Sequence, residues 1–242
     1  ADNPALAHAL EIADAVVVVA EAGSTRAPGA ASRAWRARSL AALDGSLRMR
    51  GSHLVIRDGD PATMLPALAV ECGATLVCFD HWYEPDGTEA DGALAAALRA
   101  AGITTRSFNC TLLNEPDGPR ASGGGPFKVF TPYYNACLRL GGPGAPPPAT
   151  GHIPAPSAMP AGIDPTTLPG ADAHPIGSWW TPGEAGAFAT AERFVAKALG
   201  YPGARLCYFA SAGGQDYHLN PEKIRTEKIG SNAMACYSFY DH

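Results

Sequence analysis

Short β-branched runs alternate along this chain with longer stretches of helical periodicity. Asp2 and Asn3 precede Pro4, and Leu6, Leu10 and Ala13 follow at helical spacing. A polar cap with proline at the first position predicts a helix start, because the missing N–H would have no partner there anyway. Val16–Ala20 is an unbroken apolar run, which predicts a strand covered on both faces. The segment Glu21–Ala31 reads as a loop, with Ser32 as the cap of a helix carrying Trp35, Leu40, Leu43 and Leu47 and stopped by Gly51. The pattern repeats: strand His53–Arg57, helix from Asp60-Pro61 to Glu71, strand Thr75–Phe79, helix Thr88–Ala101 ended by Gly102, strand Thr104–Phe108. Strands alternating with helices predict an α/β fold with a doubly wound, Rossmann-like parallel sheet.

Beyond residue 140 the texture changes. Half of the 22 prolines lie between Gly141 and Pro182, a density incompatible with regular structure over most of that stretch. The expected organisation is an α/β domain over 1–140, a Pro/Gly-rich linker over 141–182, draped or free, and a helical start with an unassigned tail over 183–242. The helix expected there runs from Pro182 or Gly183 to Leu199, with Phe188, Ala191, Phe194, Val195 and Ala198 on one side.

Hydrophobic residues at 46% and charged residues at 17% are enough for a buried core. A net charge of −5 argues against a dedicated nucleic-acid surface. The six cysteines form no CxxC pair and no zinc spacing, and read as mostly buried thiols of a reducing intracellular compartment. No apolar run is long enough to span a bilayer. GxSxG, P-loop, GxGxxG and HExxH patterns are absent, which removes the usual anchors of hydrolase, NTPase, dehydrogenase and zinc-protease readings.

Six segments, in order, resemble the DNA photolyase/cryptochrome family. They are Asp2-Asn3-Pro4-Ala5-Leu6, the helix from Arg33 through Leu47, Gly59-Asp60-Pro61, Tyr83-Glu84-Pro85, Phe127-Lys128-Val129-Phe130-Thr131-Pro132-Tyr133, and Trp180-Thr181-Pro182-Gly183-Glu184. The resemblance implies an α/β antenna domain of a light-driven flavoprotein. In that family a folate, deazaflavin or flavin antenna passes energy to FAD in a helical domain. In repairing members, reduced FAD donates an electron to a flipped pyrimidine dimer. It also implies that the family's first, central strand would precede Ala1 and that the FAD domain would open near Ala204, where nothing similar is found. Damaged DNA would then be met only through that other domain. On this basis the chain alone is expected not to repair DNA. It is also expected to be poorly folded unless its remaining strands close up. A standalone chromophore-binding, nucleotide-binding or protein-interaction module is the alternative.

The antenna site is expected at the carboxyl ends of the strands, in the loop after Val19-Ala20 and in Asp80–Gly87. Asp80, His81, Trp82 and Glu84 offer carboxylates, an imidazole and a flat aromatic face suited to a ring-shaped ligand. Equally, Trp82 and Tyr83 could cover the sheet end while Glu84 satisfies local backbone. Where folate-binding members carry an acidic residue, this chain has Ser122-Gly123-Gly124-Gly125-Pro126, which favours a deazaflavin, a flavin or no antenna over folate. That glycine run reads as a surface loop or an anion-binding nest. Lys128 reads as part of a strand-like lead into a helix capped by Thr131. Arg33, Arg36, Arg38, Arg48 and Arg50 read as a solvated helix face. No catalytic residue and no metal site is expected.

Overall fold

In the computed structural model, which describes residues 3–23, 29–141, 147, 151–170 and 180–194, helices and parallel strands alternate as the pattern requires. The order is α1 (Pro4–Ile12), β1 (Val18–Glu21), α2 (Ala30–Arg48), β2 (Leu54–Arg57), α3 (Pro61–Cys72), β3 (Leu76–Asp80), α4 (Pro85–Ala100), β4 (Thr104–Phe108), α5 (Phe130–Arg139), a 3-10 turn (Pro165–Thr167) and α6 (Glu184–Phe194). Local chemistry explains most boundaries. Asn3 caps α1 by accepting the Leu6 N–H at 2.8 Å, and Asp60 caps α3 by accepting the Thr63 N–H at 3.1 Å; each is followed by proline. Gly73 ends α3 in the left-handed region at φ 66°, where a side chain would be strained.

Four expectations are corrected at this level. Ser32 is not a cap: α2 begins at Ala30 behind Gly29, because two alanines with high helix propensity extend it backwards. Helix α4 begins at Pro85 rather than Thr88, since proline's fixed φ suits the first helical position. Helix α5 starts at Phe130 behind Val129, leaving Thr131 inside it and Lys128 in a bend rather than a strand. Among the described cysteines only Cys137 is buried, while Cys72, Cys78 and Cys110 are half-buried. The helix expected to reach Leu199 is described as far as Phe194, with Phe188 exposed. Residues 195–199 lie outside the described residues, as do Cys207 and Cys236.

The strands form two separate two-stranded parallel ladders instead of one sheet. Val18 to Glu21 pair in register with Leu54 to Arg57, and Leu76 to Asp80 pair with Thr104 to Phe108. Each ladder has its own core. The first gathers Val16, Ala37, Leu47, Leu54, Ile56, Ile153 and Leu168. The second gathers Ala69, Leu94, Leu98 and Ile103, with Val77 and Phe79 packed against them. Helix α1 belongs to both. Its Leu6, Ala9, Leu10 and Ala13 pack into the first core, while its other side meets β3 and β4, His8 lying 5.3 Å from the Phe108 ring.

The proline-rich segment is an integral part of the first core. Ile153 is 0% exposed, and its N–H donates to the Arg50 carbonyl at 2.8 Å. Val16 donates to Pro154 at 2.7 Å, and Ile163 donates to Ile56 at 2.8 Å, so residues 153–163 strap the outer edge of β2. Proline suits that role, since it fixes an extended backbone and presents few donors of its own. Gly162 runs so close that a Cβ there would stand 3.0 Å from the Ile56 nitrogen. Asp44 anchors the same strand from α2, its buried carboxylate accepting the Leu54 N–H at 2.8 Å and Arg48 Nε at 2.7 Å.

Truncating Ile153→Ala is expected to cost about 2–5 kcal/mol, because the strap closes directly over it and the site cannot collapse. Urea unfolding checks this. A loss below about 0.5 kcal/mol would mean that the strap is not part of the core.

Candidate functional site

The carboxyl ends of β3 and β4 meet the amino end of α1, and most of the polar side chains in question gather there. Asp80 ends β3. Its carboxylate accepts two contacts from Asn3 Nδ2, at 3.0 and 3.2 Å, and one from the Cys110 thiol at 2.7 Å. Asn3 thus serves two elements at once, capping α1 through Oδ1 and holding β3 through Nδ2. Burial first, and then the hydrogen bond to Asp80, push the Cys110 thiol up to about 12. The thiol is a donor here and a poor nucleophile.

The next residue turns the other way. His81 Nδ1 lies 2.7 Å from Asp91 Oδ2 on α4, and the same oxygen accepts the Trp82 N–H at 2.9 Å. A carboxylate can only accept, so Asp91 fixes the tautomer protonated at Nδ1 and sets the loop's direction. Trp82 is 47% exposed and lies over Gly87, where any side chain would overlap the indole. Tyr83 meets the His81 ring edge-on at 4.5 Å, and its hydroxyl donates to Glu115 at 2.8–2.9 Å. Burial and that hydrogen bond push the phenol up to about 12. Glu84 occupies the cap position of α4 without a side-chain capping bond.

The ends of β1 and β2 make a second, more acidic region. Arg36 of α2 turns inward and donates to the carbonyls of Glu21, Ala22 and Gly23, so this arginine is not part of a solvated face. Desolvation raises the Glu21 carboxyl, opposed by Arg36 and reinforced by Asp58 and Asp60. Beside it a recess of about 300 Å³ opens between β2 and α3, lined by residues including Arg57, Asp58, Asp60, Thr63 and Glu71. The glycine run at 123–125 closes on itself as a turn, Ala121 donating to Gly125 and Gly124 to Ala121. The described residues contain no group of three or more metal-ligating side chains, and no described helix is long and apolar enough to cross a membrane.

Of the four residues expected to form a site, only Trp82 presents an uncommitted surface. Asp80 and His81 are engaged by Asn3, Cys110 and Asp91, and Glu84 stands at the cap position of α4. Asn3, Asp91, Cys110 and Glu115 escaped the sequence reading, because each is distant in sequence from its partner and none belongs to a local motif. What the surface offers a planar ligand is aromatic contact with Trp82, next to the Tyr83–Glu115 pair.

Comparison with known proteins places these elements in context. A family profile described as DNA photolyase matches residues 1–153. A deoxyribodipyrimidine photo-lyase of Agrobacterium fabrum is 36% identical over 204 residues, covering 82% of this chain and 43% of that protein. Cryptochrome-1 of Arabidopsis thaliana is 36% identical over 143 residues, 57% of this chain and 21% of that one. Among solved structures, a bacterial class III photolyase from Agrobacterium tumefaciens superposes with a TM-score of 0.71 at 33% identity, over 82% of this chain and 42% of its own. An archaeal photolyase from Sulfolobus tokodaii, described with two FAD molecules, shares the fold at a TM-score of 0.53 and 21% identity, over 65% of this chain and 36% of its own. The chain spans less than half the length of these relatives.

The Cys110 thiol contributes to stability below its unfolded value of 9.0, and that contribution is lost as pH rises toward about 12. At pH 8 its alkylation by iodoacetamide is expected to be about a thousandfold slower than that of an unperturbed thiol, as its thiolate fraction is, and Asp80→Asn should speed it about tenfold. Site-resolved mass spectrometry reads both rates. Reactivity equal to that of a free thiol would contradict the Asp80–Cys110 contact.

Proposed function

The chain belongs to the DNA photolyase family, and from that premise we propose that it is the antenna-bearing α/β part of a light-driven flavoprotein. The observation that carries this reading is the family match over residues 1–153, joined to the 0.71 superposition on a class III photolyase. On this proposal the whole protein holds FAD in its other half. Its reaction is electron transfer from reduced FAD to a pyrimidine dimer in DNA, or flavin-based signalling as in the cryptochromes. Residues 1–242 supply light collection and a docking surface for that half.

The ligand proposed for this part is a flavin or deazaflavin, stacked on Trp82 at the carboxyl end of β3. Support comes from the exposed indole, from the neighbouring Tyr83–Glu115 pair, and from the absence of a carboxylate in the 122–126 turn where folate-binding members carry one. When bound, such a chromophore would absorb light and pass on excitation energy. The protein's own task is to hold the ring flat and shield it from water. Gly87 keeps the space beneath the indole open, and Asp91 fixes the loop through the Trp82 N–H.

Fluorescence titration of the chain with riboflavin, a deazaflavin and a reduced folate tests this. Binding of one of the first two is expected, at least tenfold tighter than folate. Trp82→Ala should weaken it about tenfold, the loss of about 1.4 kcal/mol of stacking. Failure of all three to bind a folded chain would overturn the antenna assignment. Preference for folate would overturn the choice of chromophore.

A further inference from the structure

We propose that the Trp82 site selects its ligand by charge, taking an uncharged, phosphate-free ring of the riboflavin or deazaflavin type and turning away the phosphorylated form of the same ring. The selectivity rests on the antenna assignment and adds to it the charge that the ligand carries.

Three carboxylates flank the loop that carries Trp82, and neutral groups hold each of them. Asp80 accepts from Asn3 Nδ2 and from the Cys110 thiol. Asp91 lies 2.7 Å from His81 Nδ1 and accepts the Trp82 N–H. Glu115 accepts the Tyr83 hydroxyl at 2.8 Å. None of these contacts brings in a lysine or an arginine, so the carboxylates are fixed in place without their charge being cancelled. The surrounding sequence supplies no cation either. From Asp80 to Leu98 it holds five carboxylates and neither lysine nor arginine, and from Ser107 to Pro119 it holds Glu115 and Asp117 and again neither. Arg106 and Arg120, which bound that second stretch, turn to His8 and to Asp117. The amino end of α4 has the opposite sign, but it amounts to about half a charge, and Asp86 stands in its first turn. Three whole charges outweigh it.

Donors point the same way as charge. A bound phosphate needs hydrogens, and the side chains around the indole have already committed theirs. The Tyr83 proton goes to Glu115, the Cys110 proton to Asp80 and the Nδ1 proton of His81 to Asp91. The indole N–H of Trp82 is a single neutral donor and does not balance them. What this surround offers is acceptors, His81 Nε2 and the carboxylate oxygens of Glu115, which suit the hydroxyls of a ribityl chain or the imide N–H of an isoalloxazine ring. A phosphate monoester carries about −1.5 to −2 charges at neutral pH. At about 10 Å from three carboxylates in dilute aqueous buffer, that charge weakens binding about tenfold. The discrimination is therefore built from a repulsive element, while the stacking surface is the same for both forms of the ring.

The test is a fluorescence titration of the full chain with riboflavin and with riboflavin phosphate, the same ring without and with the charge. It is run at about 10 mM and about 1 M salt, where the screening length is about 30 Å and about 3 Å. Riboflavin is expected to bind about tenfold or more tightly than its phosphate at low salt, with the gap closing to about twofold or less at high salt. Glu115→Gln keeps an acceptor for Tyr83 and removes one charge, and it should narrow the low-salt gap about twofold or more. The salt series gives the same information should that variant fail to fold. Equal or tighter binding of the phosphate at low salt would overturn the selectivity. A gap that salt leaves unchanged would overturn it as well, because ligand size and not charge would then be the cause. A gap that a folded Glu115→Gln variant leaves unchanged would overturn the assignment to these carboxylates. Binding of neither ring to a folded chain at either salt is a separate outcome, in which the antenna assignment fails and the selectivity falls with it.

Discussion

The peptide groups of a sheet find their hydrogen-bond partners in the neighbouring strand, and among the described residues this chain meets that requirement in two separate ladders around which its other features are arranged. Each ladder is satisfied within itself, but β1 and β3 do not pair with each other. The two halves are joined by side chains instead. Helix α1 contributes leucines and alanines to one core and lies against the strands of the other, and Asn3 ties its first turn to the end of β3. Packing of this kind is divisible in a way that a continuous ladder is not. The halves carry separate hydrophobic clusters, each built on its own strand pair.

The same arrangement decides what the carboxyl edge can do. In an uninterrupted parallel sheet, loops from neighbouring strands converge on one crevice. Here the loop after β1, with Glu21 and the inward-turned Arg36, belongs to one ladder, and Asp80 through Glu84 belong to the other. The polar groups nearest the division hold elements together, as Asp80 does with Asn3 and Cys110. Trp82, supported from beneath by Gly87, remains open to a partner. The strap, drawn from a proline-rich stretch, does for the outer edge of β2 what a further strand would do elsewhere.

Much of this was legible in the sequence, and for local reasons. Asn3-Pro4 and Asp60-Pro61 carry their capping chemistry within a few residues, and β-branched runs announce the strands. The order of the elements followed from such signals, and the likeness to the family from six short segments in the same order as its own. What escaped was whatever depends on distant pairs. Ile153 reads as one apolar residue in a proline-rich linker, and nothing near it reveals that Arg50 and the first core lie above it. Arg36 looks like its exposed neighbours until the end of β1 is placed beside it. The partners that hold Asp80 and His81 escaped as well, because Asn3, Cys110 and Asp91 are ten or more residues away in sequence. Helix starts were misplaced where alanine or proline propensity outweighed a nearby hydroxyl, as at Ser32 and Thr88.

The most direct test of the divided sheet is to measure scalar couplings across hydrogen bonds in the chain by itself. These couplings connect an amide nitrogen to the carbonyl carbon that accepts its proton. Couplings are predicted from the Ala20 and Ala22 amides into β2 and from the Phe79 and His81 amides into β4, with none from Val19 or Cys78 to the other ladder. A coupling between β1 and β3 would contradict the account, because the two halves would then be a single sheet held by its backbone.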